Sequence, residues 1–197
     1  MELMDAIRDR RAVRRYTPQD VPDALVADLI EAAVWAPSAV NQQPWAFLAV
    51  RGRSRLAAFS ERAKEHLFAV LPQALELHER SDELRQPGYN VFHGAGVLIT
   101  VLAKPARYAP AEDCCLAAEN LMLAAHGFGL GTCPVGFVRP WLNLSDVKDE
   151  LGIPQNYEAV MPIVVGFPAD APVAGFRLPP QIAGWLSFPE KAAASKI

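Results

Sequence analysis

Residues 110–137 read PAEDCCLAAENLMLAAHGFGLGTCPVGF. From 110 to 126 the side chains beyond Asp113 are apolar on nearly every face, which predicts a helix buried all round rather than one resting on a surface. In a chain of 197 residues, cover of that extent is expected to come from a second subunit. Gly127, Gly129 and Gly131 then end the helix with residues free to take left-handed turns. The following 132–138 resumes as strand or loop. Repeated glycine there lets backbone amides approach a flat ligand closely, and Thr132 adds a hydroxyl.

Outward from this stretch, apolar runs of strand length lie at 97–103 and 159–167, with a short buried strand expected at 46–50. Helical spacing of Leu3, Ala6 and Ile7 predicts a first helix that ends near Arg10 or Arg11. An amphipathic helix is expected over 23–35, stopped by Pro37, with Leu25, Val26, Leu29, Ile30, Ala33 and Val34 on its apolar face. Residues 54–85 are rich in Ala, Leu, Glu and Arg and broken by Pro72, so two helices are expected there. An irregular, aromatic-bearing connection follows over 86–96, and Ser145 is expected to cap a short helix to Leu151. Beyond Pro168 the chain is proline-rich and irregular. Strands alternating with helices, without an internal repeat, leave α/β and α+β open and predict a single domain over 1–197.

Half the residues are hydrophobic (51%) and 21% are charged, with a net charge of −3. Such a surface repels nucleic acid and anionic membrane as a whole. No apolar run approaches the roughly 20 residues of a membrane helix, and acids at Glu2 and Asp5 with no apolar run behind the arginines argue against a secretory signal. A cytoplasmic protein is expected. The three cysteines, Cys114, Cys115 and Cys133, make a poor disulfide framework and read as reduced, buried thiols.

Against that acidic background, residues 8–15 read RDRRAVRR, five arginines and one acid. Clustered arginines solvate a helix face, bind nucleic acid, or hold a phosphate or carboxylate. Arg10, Arg11 and Arg14 sit where a helix gives way to an extended segment, a junction that can converge guanidiniums on one point. Planar bidentate donors suit a phosphate better than lysine does. Nucleic acid is disfavoured, because no basic stripe with aromatic platforms accompanies the cluster. A second stretch, APSAVNQQPW at 36–45, is stiffened by two prolines and offers Ser38, Asn41, Gln42 and Gln43 as donors and acceptors for a polar, uncharged heterocycle or polyol. Other chemistry is missing: no Rossmann or Walker glycine pattern, no G-x-S-x-G elbow, and four histidines without metal-ligand spacing. An anion clamp, an amide-rich loop and a glycine-rich loop without catalytic side chains point to a cofactor that performs the reaction.

Taken in order, RRAVRRY (10–16), PSAVNQQPW (37–45), GLGTCPVGF (129–137) and VGFP (165–168) with Arg177 downstream resemble the nitroreductase-like FMN-dependent oxidoreductases. The resemblance implies an α+β fold, a central, mainly antiparallel sheet wrapped by helices, in an intertwined homodimer with FMN at the subunit interface. It implies that Arg10, Arg11, Arg14 and Arg177 hold the flavin phosphate. It further implies that Ser38 and Asn41 reach the flavin from the other subunit, that Pro37, Ala39 and Gln43 belong to the same cofactor-binding stretch, and that Pro134, Val135 and Gly136 line the ring, with the amide of Val135 or Gly136 near N5. Ala12 stands in the same binding segment where the family commonly has serine, so one hydroxyl contact is expected to be lost.

The implied chemistry is ping-pong. NADH or NADPH gives a hydride to FMN N5 and leaves, and a small-molecule acceptor such as a nitroaromatic, a quinone or an activated alkene takes its place. Tyr89, Phe92, Phe68 and Trp141 are candidates for the acceptor pocket wall. The alternative keeps the fold for reductive dehalogenation or flavin consumption, with residues 54–89 as a lid; a non-catalytic binding module is a remote third reading.

Overall fold

In a computed structural model, residues 2–70, 81–171 and 175–186 are described. The fold is built on strand β2 (Val97–Ala103), a run buried at every position. Such a strand needs neighbours on both sides and cover on both faces. β1 (Trp45–Arg51) pairs with one side of it and β4 (Glu158–Gly166) with the other. β3 (Gly131–Pro134) pairs with β4, giving the order β1-β2-β4-β3 with each pairing antiparallel. The open choice between α/β and α+β is thereby resolved as α+β. β1 is an edge strand and only partly buried, where the sequence reading expected a buried one.

Alternation along β2 divides the core. Val97, Ile99 and Val101 face α2 (Asp23–Val34) and α5 (Pro110–Gly127), packing with Leu29, Ala33, Ala117 and Leu121. Leu98 and Leu102 face the opposite layer of α3 (Arg53–Val70), α6 (Arg139–Leu142) and α7 (Ser145–Leu151), with Phe59, Leu67 and Trp141. Two short α-helices, α1 (Leu3–Asp9) and α4 (Ser81–Arg85), and two 3-10 turns, Ala39–Asn41 and Gly136–Val138, complete the described elements.

Several expectations need correction. Within its own chain α5 is not buried all round: it buries Cys114, Ala117, Ala118, Leu121, Met122 and Ala125, yet leaves Leu116 48% exposed. Cys115 is exposed, unlike the other two thiols, because it points off the stripe that meets the sheet. Val34 lies at the exposed end of α2. Ser145 is the first residue of α7 rather than its cap, and the capping position, Leu144, offers no side-chain bond. The predicted joint at Pro72 lies outside the described residues.

Candidate functional site

The arginine segment begins where α1 stops. Arg10 takes an extended ψ of 129°, and the chain then runs beside the end of the sheet. Ala12 pairs with Thr132 in parallel and Tyr16 with Pro168 antiparallel. The Val13 N–H donates to Thr132 O (2.8 Å), Thr17 N–H to Phe167 O (2.9 Å) and Ala169 N–H to Arg15 O (2.9 Å). This approach needs a glycine: a Cβ on Gly131 would stand 2.7 Å from Val13 Cβ. The Tyr16 hydroxyl donates to Val13 O at 2.6 Å, and burial, followed by the nearby Cys133, pushes its pKa above the ordinary phenol range. The segment is therefore pinned by backbone bonds on two strands' ends, with Val13 buried and Ala12, Arg14 and Arg15 outward.

A cavity of about 500 Å³ opens beside it, lined by Arg11, Ala12, Arg14, Arg15, Asp170 and Arg177. Arg177 is far away in sequence, but the glycine before it closes the gap: a Cβ on Gly175 would meet Arg177 Nη1 at 3.3 Å and Arg11 Nε at 3.4 Å. Arg15, largely exposed, pairs with Asp170 at 3.0 Å. Arg10 departs from the predicted trio. It lines a smaller cavity of about 150 Å³ with Arg11, His126 and the Gly129–Thr132 turn, and its Nε lies 3.3 Å from Glu119 Oε1 on α5. That contact is an ion pair without hydrogen-bond alignment, and the nearby Arg11 Nε is likewise buried with no hydrogen-bond partner. Buried guanidinium N–H groups left so are what an anionic ligand would satisfy.

A second cavity of about 270 Å³ shares Arg14 with the first. Its walls include Tyr89, His93, Phe137 and the predicted Pro134, Val135 and Gly136. The Val135 N–H donates to Pro162 O at 2.9 Å, which leaves Gly136 as the amide of that pair not engaged by the sheet. Of the four aromatics proposed for the wall, only Tyr89 is there. Phe92 and Trp141 are core side chains, less than 3% exposed, and Phe68 lies under the Arg85 guanidinium at 4.8 Å. His93 and Phe137 went unrecognised as wall residues, since nothing local distinguishes them from core or loop positions. His93 does carry a signal, a φ of 56°, but only the folded backbone reveals it.

The amide-rich loop lies elsewhere. Asn41 and Gln43 line a separate cavity of about 440 Å³ with Val34, Trp35 and Ala36, sharing no residue with the arginine cavity. Pro37 is exposed, and the half-buried Ser38 accepts the Gln43 N–H at 3.0 Å. Ala39 and Gln42 turn instead toward Asp113 of α5. One chain thus assembles the arginine and glycine-loop parts of the predicted set and keeps the 37–43 part apart from them. Among the described residues no group of three or more metal-ligating side chains occurs, and no helix is long and apolar enough to cross a membrane.

Comparison with known proteins supplies the context. The chain is 32% identical to nitroreductase NfnB of Mycolicibacterium smegmatis, over 88% of this chain and 86% of that one. It is 30% identical to a 4-nitrobenzoate reductase of Pseudomonas putida, over 92% and 93%. A solved nitroreductase with bound FMN from Bacteroides fragilis superposes with a TM-score of 0.75 at 25% identity, covering 96% of this chain and 100% of that one. Residues 7–167 match the model of the nitroreductase family, and the chain belongs to that family.

Proposed function

We propose that this chain is an FMN-dependent oxidoreductase that draws electrons from NADH or NADPH and passes them to a small-molecule acceptor. The observation that carries this reading is the pair of cavities meeting at Arg14, one ringed by arginines and one lined by Pro134, Val135, Gly136 and aromatic side chains. A ligand with an anionic tail and a flat ring matches that division, and FMN is such a ligand. The buried Nε of Arg11, which has no hydrogen-bond partner, fits a phosphate. Arg11, Arg14 and Arg177 would hold the tail, and Arg14, which lines both cavities, would sit where tail meets ring. Ala12 lines the same wall with no hydroxyl to offer.

When bound, FMN supplies two-electron exchange in two half-reactions that use one pocket in turn. The chain's part is to place the partners. Tyr89, His93 and Phe137 would wall the space over the ring, and the Gly136 amide would donate to a ring nitrogen. Nitroaromatics, quinones and activated alkenes are the acceptors proposed, the first supported by the activity named for the Pseudomonas relative.

The working unit of this reading is a homodimer with FMN at the boundary, and residues 1–197 form one domain in it. Apolar side chains left exposed support a second copy: Leu3, Met4 and Ile7 on α1, Leu116 on α5, Trp35 before the amide loop and Val40 within it, and Phe176, Leu178, Trp185 and Leu186 in the irregular segment 175–186. Surfaces of that kind mark association. A partner would also bring Ser38 and Asn41 to a flavin that their own chain keeps away from them.

The test is optical. The purified protein, reconstituted with FMN if colourless, is expected to be yellow and to bleach anaerobically with NADH or NADPH, in a particle of twice the chain mass. A protein that binds FMN but is reduced by neither nucleotide would overturn the proposed activity.

A further inference from the structure

The amide loop has an unusual backbone. Val40, Asn41 and Gln43 have φ of 47°, 55° and 45°, the left-handed region that non-glycine residues rarely enter and that is a clear outlier for a β-branched valine. Such conformations persist only where the surroundings over-determine them, and they cluster at functional sites. Here the surroundings are another element. Asp113, in the first turn of α5 and only 6% exposed, accepts the Ala39 N–H at 3.2 Å on each carboxylate oxygen and the Gln42 side-chain amide at 2.9 Å. Gln42 is fixed in turn by Tyr108, whose N–H it accepts at 3.4 Å and whose carbonyl it donates to. Ala39 and Gln42 bracket the left-handed pair Val40 and Asn41, so a single carboxylate clamps both ends of the strained step.

We propose that Asp113 is a positioning residue of the cofactor site. It touches no cofactor; it forces Val40 and Asn41 into the left-handed turn that leaves Asn41 exposed, toward the flavin held by the partner subunit. The inference rests on the FMN reading above and adds to it a residue that neither the arginine clamp nor the ring cavity contains.

The experiment uses full-length dimer stripped of flavin and titrated with FMN, read by quenching of flavin fluorescence, with elution volume measured in parallel. Asp113→Asn keeps an acceptor for Ala39 but sets an amide donor against the Gln42 donor. FMN affinity is expected to fall roughly 10- to 100-fold, as for the loss of a buried bond to a charged acceptor, at unchanged elution volume. Adding Val40→Gly, which takes a φ of 47° without an anchor, is expected to restore part of the loss, a rescue that a merely structural role for Asp113 would not produce. Gln42→Met, which removes the other half of the anchor, is expected to give the same fall and decides the matter if Asp113→Asn does not fold. Affinity within about twofold of the parent in these variants, or a loss that Val40→Gly leaves untouched, overturns the inference. If the parent chain itself binds no FMN, the cofactor reading falls and this one falls with it.

Discussion

Gly131 decides whether the arginines have a place to stand. Its Cα lies so near Val13 that an added Cβ would sit 2.7–2.8 Å from three of the valine's side-chain atoms, and those atoms are close to the backbone and cannot swing aside. Gly131→Ala is expected to destabilise the protein by about 1–3 kcal/mol, the usual penalty of overpacking, and to weaken FMN binding by displacing the Ala12–Thr132 bridge. Chemical denaturation and flavin titration measure the two effects. Removing the clamp itself works differently, because Arg14 is exposed and its loss leaves no cavity. Arg11→Ala with Arg14→Ala should reduce FMN affinity by roughly 100-fold or more while thermal stability without flavin stays close to the parent's. A double variant that still purifies fully loaded would count against the phosphate assignment.

At the scale of elements, α5 serves three neighbours. Its buried stripe faces the sheet, Asp113 holds the amide loop, and Glu119 pairs with Arg10. Leu116 belongs to none of these and stays exposed, which in the proposed dimer would place it against the second copy. Leu116→Glu is therefore expected to weaken dimerisation by at least roughly tenfold, since burying an unpaired carboxylate is unfavourable, with little change in the monomer's helix content. Sedimentation velocity over a concentration series checks the first part and far-ultraviolet circular dichroism the second. On the opposite layer, Arg62 ties α3 to α7 through paired bonds to Glu150 at 2.9 and 2.6 Å and lies over the rings of Phe59 and Trp141. The hydrogen bond from Arg62 holds the Glu150 carboxyl below its ordinary range. Both groups are solvated, so their pairing is a minor contributor to stability.

For the whole molecule, pH dependence at the alkaline end has a named source. Burial, followed by the neighbouring Cys115 and Asp113, pushes the Cys114 thiol up to about 12. The folded state keeps that proton at a pH where the unfolded chain releases it, so stability is complete below the ordinary thiol range of about 8.5 and declines as pH rises from there toward 12. Thermal melts are expected to move down above about pH 9, and Cys114→Ala, though less stable at neutral pH because it leaves a void beside Leu102, should show a flatter profile over that interval.

Much of this architecture was legible in the chain. The apolar run 97–103 is a buried central strand because it has no polar face to turn outward, and RRAVRRY begins extended because α1 ends at its arginines. Local chemistry set those outcomes, so short-range patterns report them. Tertiary structure decided what depends on distant partners: Arg10 turned toward Glu119 rather than joining Arg14, Arg177 was brought to Arg11 across a glycine, and Phe92 and Trp141 went to the core while His93 and Phe137 took the cavity wall. Gln42, which looks like its neighbours in sequence, was drawn inward by a carboxylate 71 residues away. A side chain's type limits the bonds it can form, but which bonds it does form is set by what the fold carries to it, and no spacing along the chain encodes that.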